Sequence, residues 1–392
     1  VISSAININN PEIIQAQKEQ ITVIPRAEML GSIMIGYESI AVAGSHGKTT
    51  TTSMVAKIFS VANLSPTYVV GGKVLSTDEN SDLGKGKYLV AEADESDGTF
   101  IHLQPDVALI TNIDDDHLAH YNNIFENLLD SFVTFLENIP FWGYMVVNGD
   151  DKDVINVSKR ISRKQVTFGE SKNCNYQISN IRSANGTQSF QILDARKDKS
   201  YNFLLNIPGK HNVFNAAGSI AVALEEDIEI KTIQKAISEF SGVGRRYEKH
   251  SINIASKDIV LIDDYGHHPI EINANLSAIK EEYPEKKVCM IFQPHRYTRT
   301  EQLFDDFIKV LLEVDSLILL DIYSASEQPI KGINSEAIAK AITKQGHNDV
   351  IHLADHNKIN QILNSKSDHI EVLVTQGAGS ISMVCESIIK NV

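Results

Sequence analysis

Residues Ala41–Ala62 read AVAGSHGKTTTTSMVAKIFSVA, and this stretch decides the fold. A short apolar run, Ile40–Ala43, meets the turn Gly44-Ser45-His46-Gly47, and Lys48-Thr49 follows. Met54, Ile58 and Ala62, and likewise Val55 and Phe59, recur at i, i+4, so they share a face of a helix expected over Thr49–Ala62. Strand, glycine turn, Lys-Thr and helix together make a phosphate cradle. Glycines let backbone N–H groups approach an anion, the helix N-terminus adds partial positive charge, and Lys48 adds a full one. Thr49 supplies a hydroxyl where such loops place a Mg2+ ligand. Gly44, Ser45, His46, Gly47 and Thr50 complete the expected nucleotide-binding set. The loop reads G-x-x-G-K-T, because Val42 stands where the longer motif has its first glycine. An ordinary glycine turn before a helix is the competing reading.

Outward from the loop, strands alternate with helices. Strands are expected at Thr67–Val70, Tyr88–Glu92, Val107–Thr111, Met145–Asn148 and Gln165–Phe168, and helices at Phe125–Asn138, Asn212–Glu225 and Lys231–Ser241. Tyr176–Ile181, Ser189–Leu193 and Tyr201–Ile207 look like an antiparallel insert. The pattern implies an α/β domain over 38–244 with a mostly parallel sheet. A second alternating series occupies 245–392, with strands at Ile259–Asp264, Lys287–Phe292, Ser316–Leu320, Val350–Leu353 and Glu371–Thr375, and reads as a Rossmann-like domain. Gly242-Val243-Gly244 is the expected hinge. Residues 1–37 are too few to form a core and are expected to be the remnant of a preceding αβ domain.

Composition narrows the class. A chain of 392 residues is expected to hold two or three domains. A net charge of -14 argues against non-specific nucleic-acid binding. Cys174, Cys289 and Cys385 are far apart and show no metal-binding spacing, which suits reduced thiols in a cytoplasmic protein. No apolar run is long enough for membrane insertion.

Polar clusters follow the expected strand ends, where ligands bind in open α/β sheets. EADESD places Glu92 as a candidate Mg2+ ligand, against the plainer reading of a solvated acidic turn. NIDDDH brings Asn112, three Asp and His117, a candidate second metal ligand or phosphate-orienting group. PGKHNVFNAA places His211, Asn212 and Asn215 at a helix start, where amides suit an adenine edge or simply cap the helix. GVGRRYE carries Arg245 and Arg246; a guanidinium here can stabilise a transferring phosphoryl group or be surface charge. LIDDYGHHP contributes Asp264 and His268, and FQPHRYTRT contributes His295, Arg296 and Arg299, a cationic group suited to carboxylate or phosphate. VTQGAGSIS is a further strand, glycine turn and helix.

Taken together, SSAI…NPEI, IPRAEML, AVAGSHGKTTTT, AEADESD, LQPDVALITNIDDDH, PGKHNVFNA, GRRYE, DDYGHHP, FQPHRYTR and QGAGSI resemble, in order and from end to end, the Mur ligases, the ATP-dependent amide-bond ligases of peptidoglycan precursor synthesis. The shortened loop is what this family looks like. The resemblance implies a central ATPase domain, a C-terminal Rossmann-like domain and a UDP-binding domain of which this chain lacks most. It implies ATP and two Mg2+ sites, UDP-N-acetylmuramate and L-alanine as substrates, and a monomer or homodimer. By the same resemblance Lys48 holds the β/γ-phosphates and Thr49 the first Mg2+, while Glu92 and His117 hold the second. Arg246 neutralises transferring charge, His211, Asn212 and Asn215 seat adenine, and Asp264 seats the ribose. His268, His295, Arg296 and Arg299 bind or orient the amino acid and the acyl phosphate. Some relatives use a carbamylated lysine, but no Lys lies between Leu118 and Asp151. Two alternatives stay open: a murein-peptide ligase acting on the same UDP-sugar, and a nucleotide-binding regulatory homologue without ligase activity.

Overall fold

The computed structural model describes residues 1–3, 6–75, 79–116 and 118–390. The chain divides into two compact units with the division at Ser241/Gly242, the tip 183–186 of one hairpin grouping with the second. Residues 1–37 group with the first unit. They form α1 (Pro11–Lys18) and α2 (Arg26–Met34), and Ile2 bridges to Pro25.

The first unit continues with β1 (Glu38–Ala43), α3 (Lys48–Val61), β2 (Thr67–Val74), β3 (Glu79–Asp82), β4 (Tyr88–Glu92), β5 (Val107–Ile110), α4 (Phe125–Glu137), β6 (Tyr144–Asn148), α5 (Lys152–Ser158) and β7 (Lys164–Gly169). Next come β8 (Tyr176–Ala184), β9 (Thr187–Asp194), β10 (Lys199–Leu205), α6 (Lys210–Glu225) and α7 (Ile230–Ser238). Among the described residues the sheet order is β10-β9-β8-β7-β6-β5-β1-β4-β2-β3. The strands β7-β6-β5-β1-β4-β2 are parallel, and β9 and β10 are antiparallel as expected of the insert. Alternation divides each strand between two cores. Ala41, Ala43, Leu89, Ala91, Ala108, Ile110, Met145 and Val147 line one face, where Phe100 packs on Phe132 and Phe135 at 5.1 and 5.2 Å between ring centroids. Met54, Val55, Ile58 and Phe59 of α3 are buried, as their spacing requires. Thr52 and Ser53 are buried too; their hydroxyls donate to the carbonyls of Lys48 and Thr49, four residues back.

The second unit holds β11 (Glu248–Ile254), β12 (Lys257–Asp264), α8 (Pro269–Glu282), β13 (Val288–Phe292), α9 (Tyr297–Gln302), α10 (Phe304–Leu311), β14 (Ser316–Leu320), α11 (Ser335–Lys344), β15 (Val350–Leu353), α12 (Ile359–Lys366), β16 (Val372–Gln376) and α13 (Ile381–Lys390). Its sheet runs β11-β12-β16-β13-β14-β15, parallel except for the antiparallel edge strand β11. The sequence reading did not place β11; its alternating EKHSINI is half exposed and broken by charge. Two cores cover the two faces, one with Met290, Phe292, Leu317 and Leu319, the other with Cys289, Ile291, Ile318 and Leu320. All three cysteines are buried and free.

In each unit the chain order reverses direction across the sheet beside one strand. These points lie at β1, between β4 and β5, and at β16, between β12 and β13. Crevices at the carboxyl ends of such strands are where open α/β sheets bind ligands. Among the described residues, no helix is long and apolar enough to cross a membrane.

Candidate active site

The loop after β1 is held in shape by residues 111–114, which follow the neighbouring strand β5. Ser45 N–H donates to the Asn112 carbonyl at 3.0 Å, and His46 N–H donates to Asn112 Oδ1 at 2.9 Å. The His46 carbonyl accepts from Thr111 Oγ1 at 2.7 Å and Asn112 Nδ2 at 3.0 Å, and Asp114 N–H donates to Ser45 Oγ at 2.8 Å. His46 Nε2 lies 3.6 Å from Asp114 Oδ2. Two glycines are required. Gly44 has φ +133°, and a Cβ there would stand 2.2 Å from Thr111 Oγ1; Gly47 has φ +80°, and its Cβ would stand 2.4 Å from Asn215 Oδ1. Gly47 then caps α3, whose first-turn N–H groups, those of Lys48, Thr49 and Thr50 among them, have no carbonyl a turn earlier in the helix.

Lys48 folds back over this loop. Its ammonium donates to the Gly44 carbonyl at 2.7 Å and the Ser45 carbonyl at 3.2 Å, and pairs with Glu95 at 2.8 and 2.9 Å. Glu95 is 1% exposed. Burial works against the Lys48 charge, but attraction from Glu95, Asp94 and Glu92 outweighs it, and the ammonium is pushed up to about 12. For Glu95 burial wins over the attraction of Lys48, and the carboxyl is pushed up to about 7.

Register brings Glu92 to the same place, because β1 and β4 run parallel with Val42 opposite Glu92. Thr49 Oγ1 lies 3.1 and 3.0 Å from the two Glu92 carboxylate oxygens, and Gly71 N–H donates to Glu92 Oε2 at 2.8 Å. A hydroxyl and a carboxylate held face to face at a helix N-terminus are hard oxygen donors, so the donor set fits Mg2+. No cluster of three or more His, Cys, Asp or Glu side chains suited to a metal occurs among the described residues, so an ion here would complete its shell with water and phosphate oxygens. His117 lies outside the described residues.

At the start of α6, His211 is exposed while Asn212 and Asn215 are buried. Asn212 Nδ2 donates to the Pro208 carbonyl at 2.7 Å, and Asn215 Nδ2 donates to Asn212 Oδ1 at 3.2 Å. The two amides therefore bond to each other, with Asn215 lying against Gly47 of the loop.

In the second unit, Asp264 closes β12. It is half-buried and accepts from Tyr247 N–H at 2.9 Å, Gly266 N–H at 2.8 Å and Gln376 Nε2 at 2.8 Å. Burial raises its carboxyl above the usual range, and the nearby Arg246 opposes that rise. Three of about four carboxylate lone-pair sites are thus used. His268 caps α8: its Nδ1 accepts from Ile270 N–H at 3.3 Å, while the His267 and His268 N–H groups donate to Glu271 at 2.8 and 3.1 Å. Beyond β13, Arg299 is buried with its guanidinium 3.3 Å from His295 Nδ1. The His295 ring stacks on Tyr323 at 5.5 Å and lies 5.5 Å from His267. Arg296 is exposed, with φ 71°, and its N–H donates to the Tyr323 carbonyl. His295 and Arg299 are brought together, and Arg296 faces solvent. Arg246 lies over the Tyr265 ring, 5.0 Å from its centroid.

Sequence reasoning passed over Glu95, Tyr265, His267 and Tyr323. Glu95 lay within the acidic run that singled out Glu92, three residues on, but nothing in that run marks which carboxylate meets Lys48. Tyr323 sits in DIYSAS, which carries no motif.

A parallel α/β sheet with a lysine-threonine phosphate loop at its switch point defines a nucleotide-dependent enzyme fold. Residues 42–223 match the Mur ligase middle domain, and residues 245–379 match the Mur ligase, glutamate ligase domain. The chain belongs to the Mur ligase family. It is 43% identical, over 100% of its own length and 82% of the relative's, to the UDP-N-acetylmuramate--L-alanine ligase of Psychrobacter sp. (strain PRwf-1). It is 45% identical to the protein of the same name from Vesicomyosocius okutanii subsp. Calyptogena okutanii, over 98% of this chain and 82% of the relative. Among solved structures, the UDP-N-acetylmuramate-alanine ligase of Thermotoga maritima superposes with a TM-score of 0.83 at 27% identity, covering 99% of this chain and 84% of that one. A murein peptide ligase from Psychrobacter arcticus shares the fold, with a TM-score of 0.71 at 21% identity over 98% of this chain and 84% of that one.

Proposed function

We propose that this chain joins L-alanine to the carboxylate of UDP-N-acetylmuramate with hydrolysis of ATP to ADP and phosphate. The observation that carries the reading is the identity of 43–45% to ligases of that name over essentially the whole chain. The Lys48, Thr49 and Glu92 arrangement supports the ATP half of it.

A carboxylate is a poor acyl donor until its oxygen is phosphorylated. The sugar carboxylate attacks the γ-phosphate, ADP leaves, and an acyl phosphate forms. The alanine amine then attacks the activated carbonyl, and the tetrahedral intermediate expels phosphate. Lys48 exchanges Glu95 for the β/γ-phosphates, and the first turn of α3 donates N–H groups to the same oxygens. Thr49 would hold the first Mg2+, and Glu92 with His117 the second; bound there, such ions would supply charge neutralisation at the phosphates. Arg246 neutralises the transferring phosphoryl group. His211, Asn212 and Asn215 lie along the adenine subsite, and Asp264 offers its remaining lone pair to the ribose. His268 acts through the helix start it caps. His295 and Arg299 with Arg296 bind the amino acid and orient the acyl phosphate. The reading places the protein in the cytoplasm, as a monomer or homodimer that binds no nucleic acid.

The test is ADP release that depends on both UDP-N-acetylmuramate and L-alanine. Turnover with the tripeptide and none with L-alanine would make it a murein-peptide ligase. Absence of substrate-dependent ADP release, with ATP still bound, would make it a regulatory homologue.

A further inference from the structure

Arg246 leaves the chain from an unusual turn. Its two neighbours, Arg245 and Tyr247, both have left-handed backbones, with φ of 58° and 56°. Residues with a Cβ adopt that conformation only when their surroundings impose it. Three bonds impose it here. Arg245 N–H donates to Glu248 Oε2 at 2.8 Å, Tyr265 N–H donates to the Arg245 carbonyl at 2.7 Å, and Tyr247 N–H donates to Asp264 Oδ2 at 2.9 Å.

The Arg245 side chain adds a strut. Its Nε donates to Asp263 Oδ2 at 2.9 Å, and a terminal nitrogen donates to the Gly377 carbonyl at 2.7 Å. Asp263 is 4% exposed, and its other oxygen accepts from the fully buried Thr375 hydroxyl at 2.8 Å. Asp263 and Thr375 sit opposite each other on the parallel strands β12 and β16. The strut thus ties the turn to two central strands and to the glycine turn that follows β16. Arg245 cannot leave for a phosphate without stranding a buried carboxylate, which is costly. Arg246 is held far more loosely. Its nearest ion-pair partner is Glu271, at 3.8 Å. The two guanidinium groups share one tyrosine, lying 5.4 Å (Arg245) and 5.0 Å (Arg246) from the Tyr265 ring centroid.

We propose that Arg245 is a positioning residue: through Asp263, Thr375 and the Gly377 carbonyl it fixes the backbone from which Arg246 acts. This rests on the reading of Arg246 as the group that neutralises the transferring phosphoryl. A bidentate guanidinium makes both bonds of the strut, whereas a lysine ammonium can keep the ion pair without the fork geometry.

The experiment measures ligase kinetics and an arginine side-chain signal on the full chain. Arg245→Ala is expected to lower kcat about 10- to 100-fold with KM for ATP within about threefold, as a misplaced catalytic group does. Arg245→Lys recovers part of the loss. Thr375→Val touches Asp263 but not Arg245, and it lowers kcat in the same direction by less. Arg245→Ala added to Arg246→Ala slows turnover no further. In both Arg245→Ala and Thr375→Val the Arg246 Nε–Hε NMR signal, assigned by its loss in Arg246→Lys, shifts although residue 246 is unchanged. Losses that multiply in the double variant overturn the proposal, as does an unmoved Arg246 signal. Normal kcat in Arg245→Ala with impaired Arg246→Ala overturns it and spares the role of Arg246. Normal kcat in Arg246→Ala sinks that role and the positioning with it. Should Arg245→Ala not fold, Thr375→Val decides by the same readouts.

Discussion

The phosphate loop of the first unit and the turn from Asp264 to His268 in the second are built on the same plan, polar side chains at the carboxyl ends of parallel strands, yet they use those side chains differently. At the loop two pairs are side chain to side chain, Lys48 with Glu95 and Thr49 with Glu92, beside bonds from Lys48 to the Gly44 and Ser45 carbonyls and from Gly71 N–H to Glu92. Each partner can be exchanged for a phosphate oxygen or a metal ion. In the second unit, Asp264 and His268 bond chiefly to backbone N–H groups, and those bonds hold a turn and a helix start. Such bonds cannot be given up without loosening the backbone. A side-chain pair at a strand end can be exchanged for a ligand, whereas bonds to the main chain hold the backbone in place.

The most severe way to break that contrast is Lys48→Met. Turnover is expected to fall by at least about 10³-fold, since a preorganised charge on the phosphates is lost. ADP release measures it, and residual activity near wild type would show that the lysine is not part of the phosphate site. A smaller effect sharpens the other half. His268→Ala removes an N-cap and is expected to cost about 1 kcal/mol of stability. His268→Asn keeps a capping acceptor and is expected to retain both stability and most of the turnover. Urea unfolding read beside kcat decides: wild-type stability with lost turnover in His268→Asn would make the imidazole itself catalytic.

The smallest effect concerns pH. The Glu95 carboxyl is raised in the fold, to about 7 from an ordinary 4.5. A raised carboxyl favours the protonated form, so its contribution to stability is complete below about 4.5 and disappears as pH rises through about 7. Lys48, pushed up to about 12, does not titrate in that window. The melting temperature of the wild type is therefore expected to decline relative to Glu95→Gln between pH 4.5 and 7. Parallel pH profiles for the two proteins would refute it.

Much of the fold was legible because its strands are continuous apolar runs closed by glycine or acidic turns. Tyr88–Glu92, Ser316–Leu320 and Val350–Leu353 lie where alternation and composition put them. The edge strand Glu248–Ile254 was not, since half its residues face water and carry charge. In the site, the loop glycines, Lys48, Thr49 and Glu92 were readable from spacing. Pairings were not, because β1 lies between β4 and β5 only in the folded sheet.

By itself the sequence determined two alternating α/β series, a glycine loop with Lys48-Thr49 between a strand and a helix, and the order of motifs that marks a Mur ligase. Only the tertiary structure decided which side chains face one another: that Lys48 pairs with Glu95, that the Thr49 hydroxyl meets Glu92, and that of two adjacent arginines Arg245 is tied to Asp263 while Arg246 is not. Spacing along a strand fixes which face a residue takes, but partners across a parallel sheet come from segments tens of residues apart, and their register is set by packing of the whole sheet.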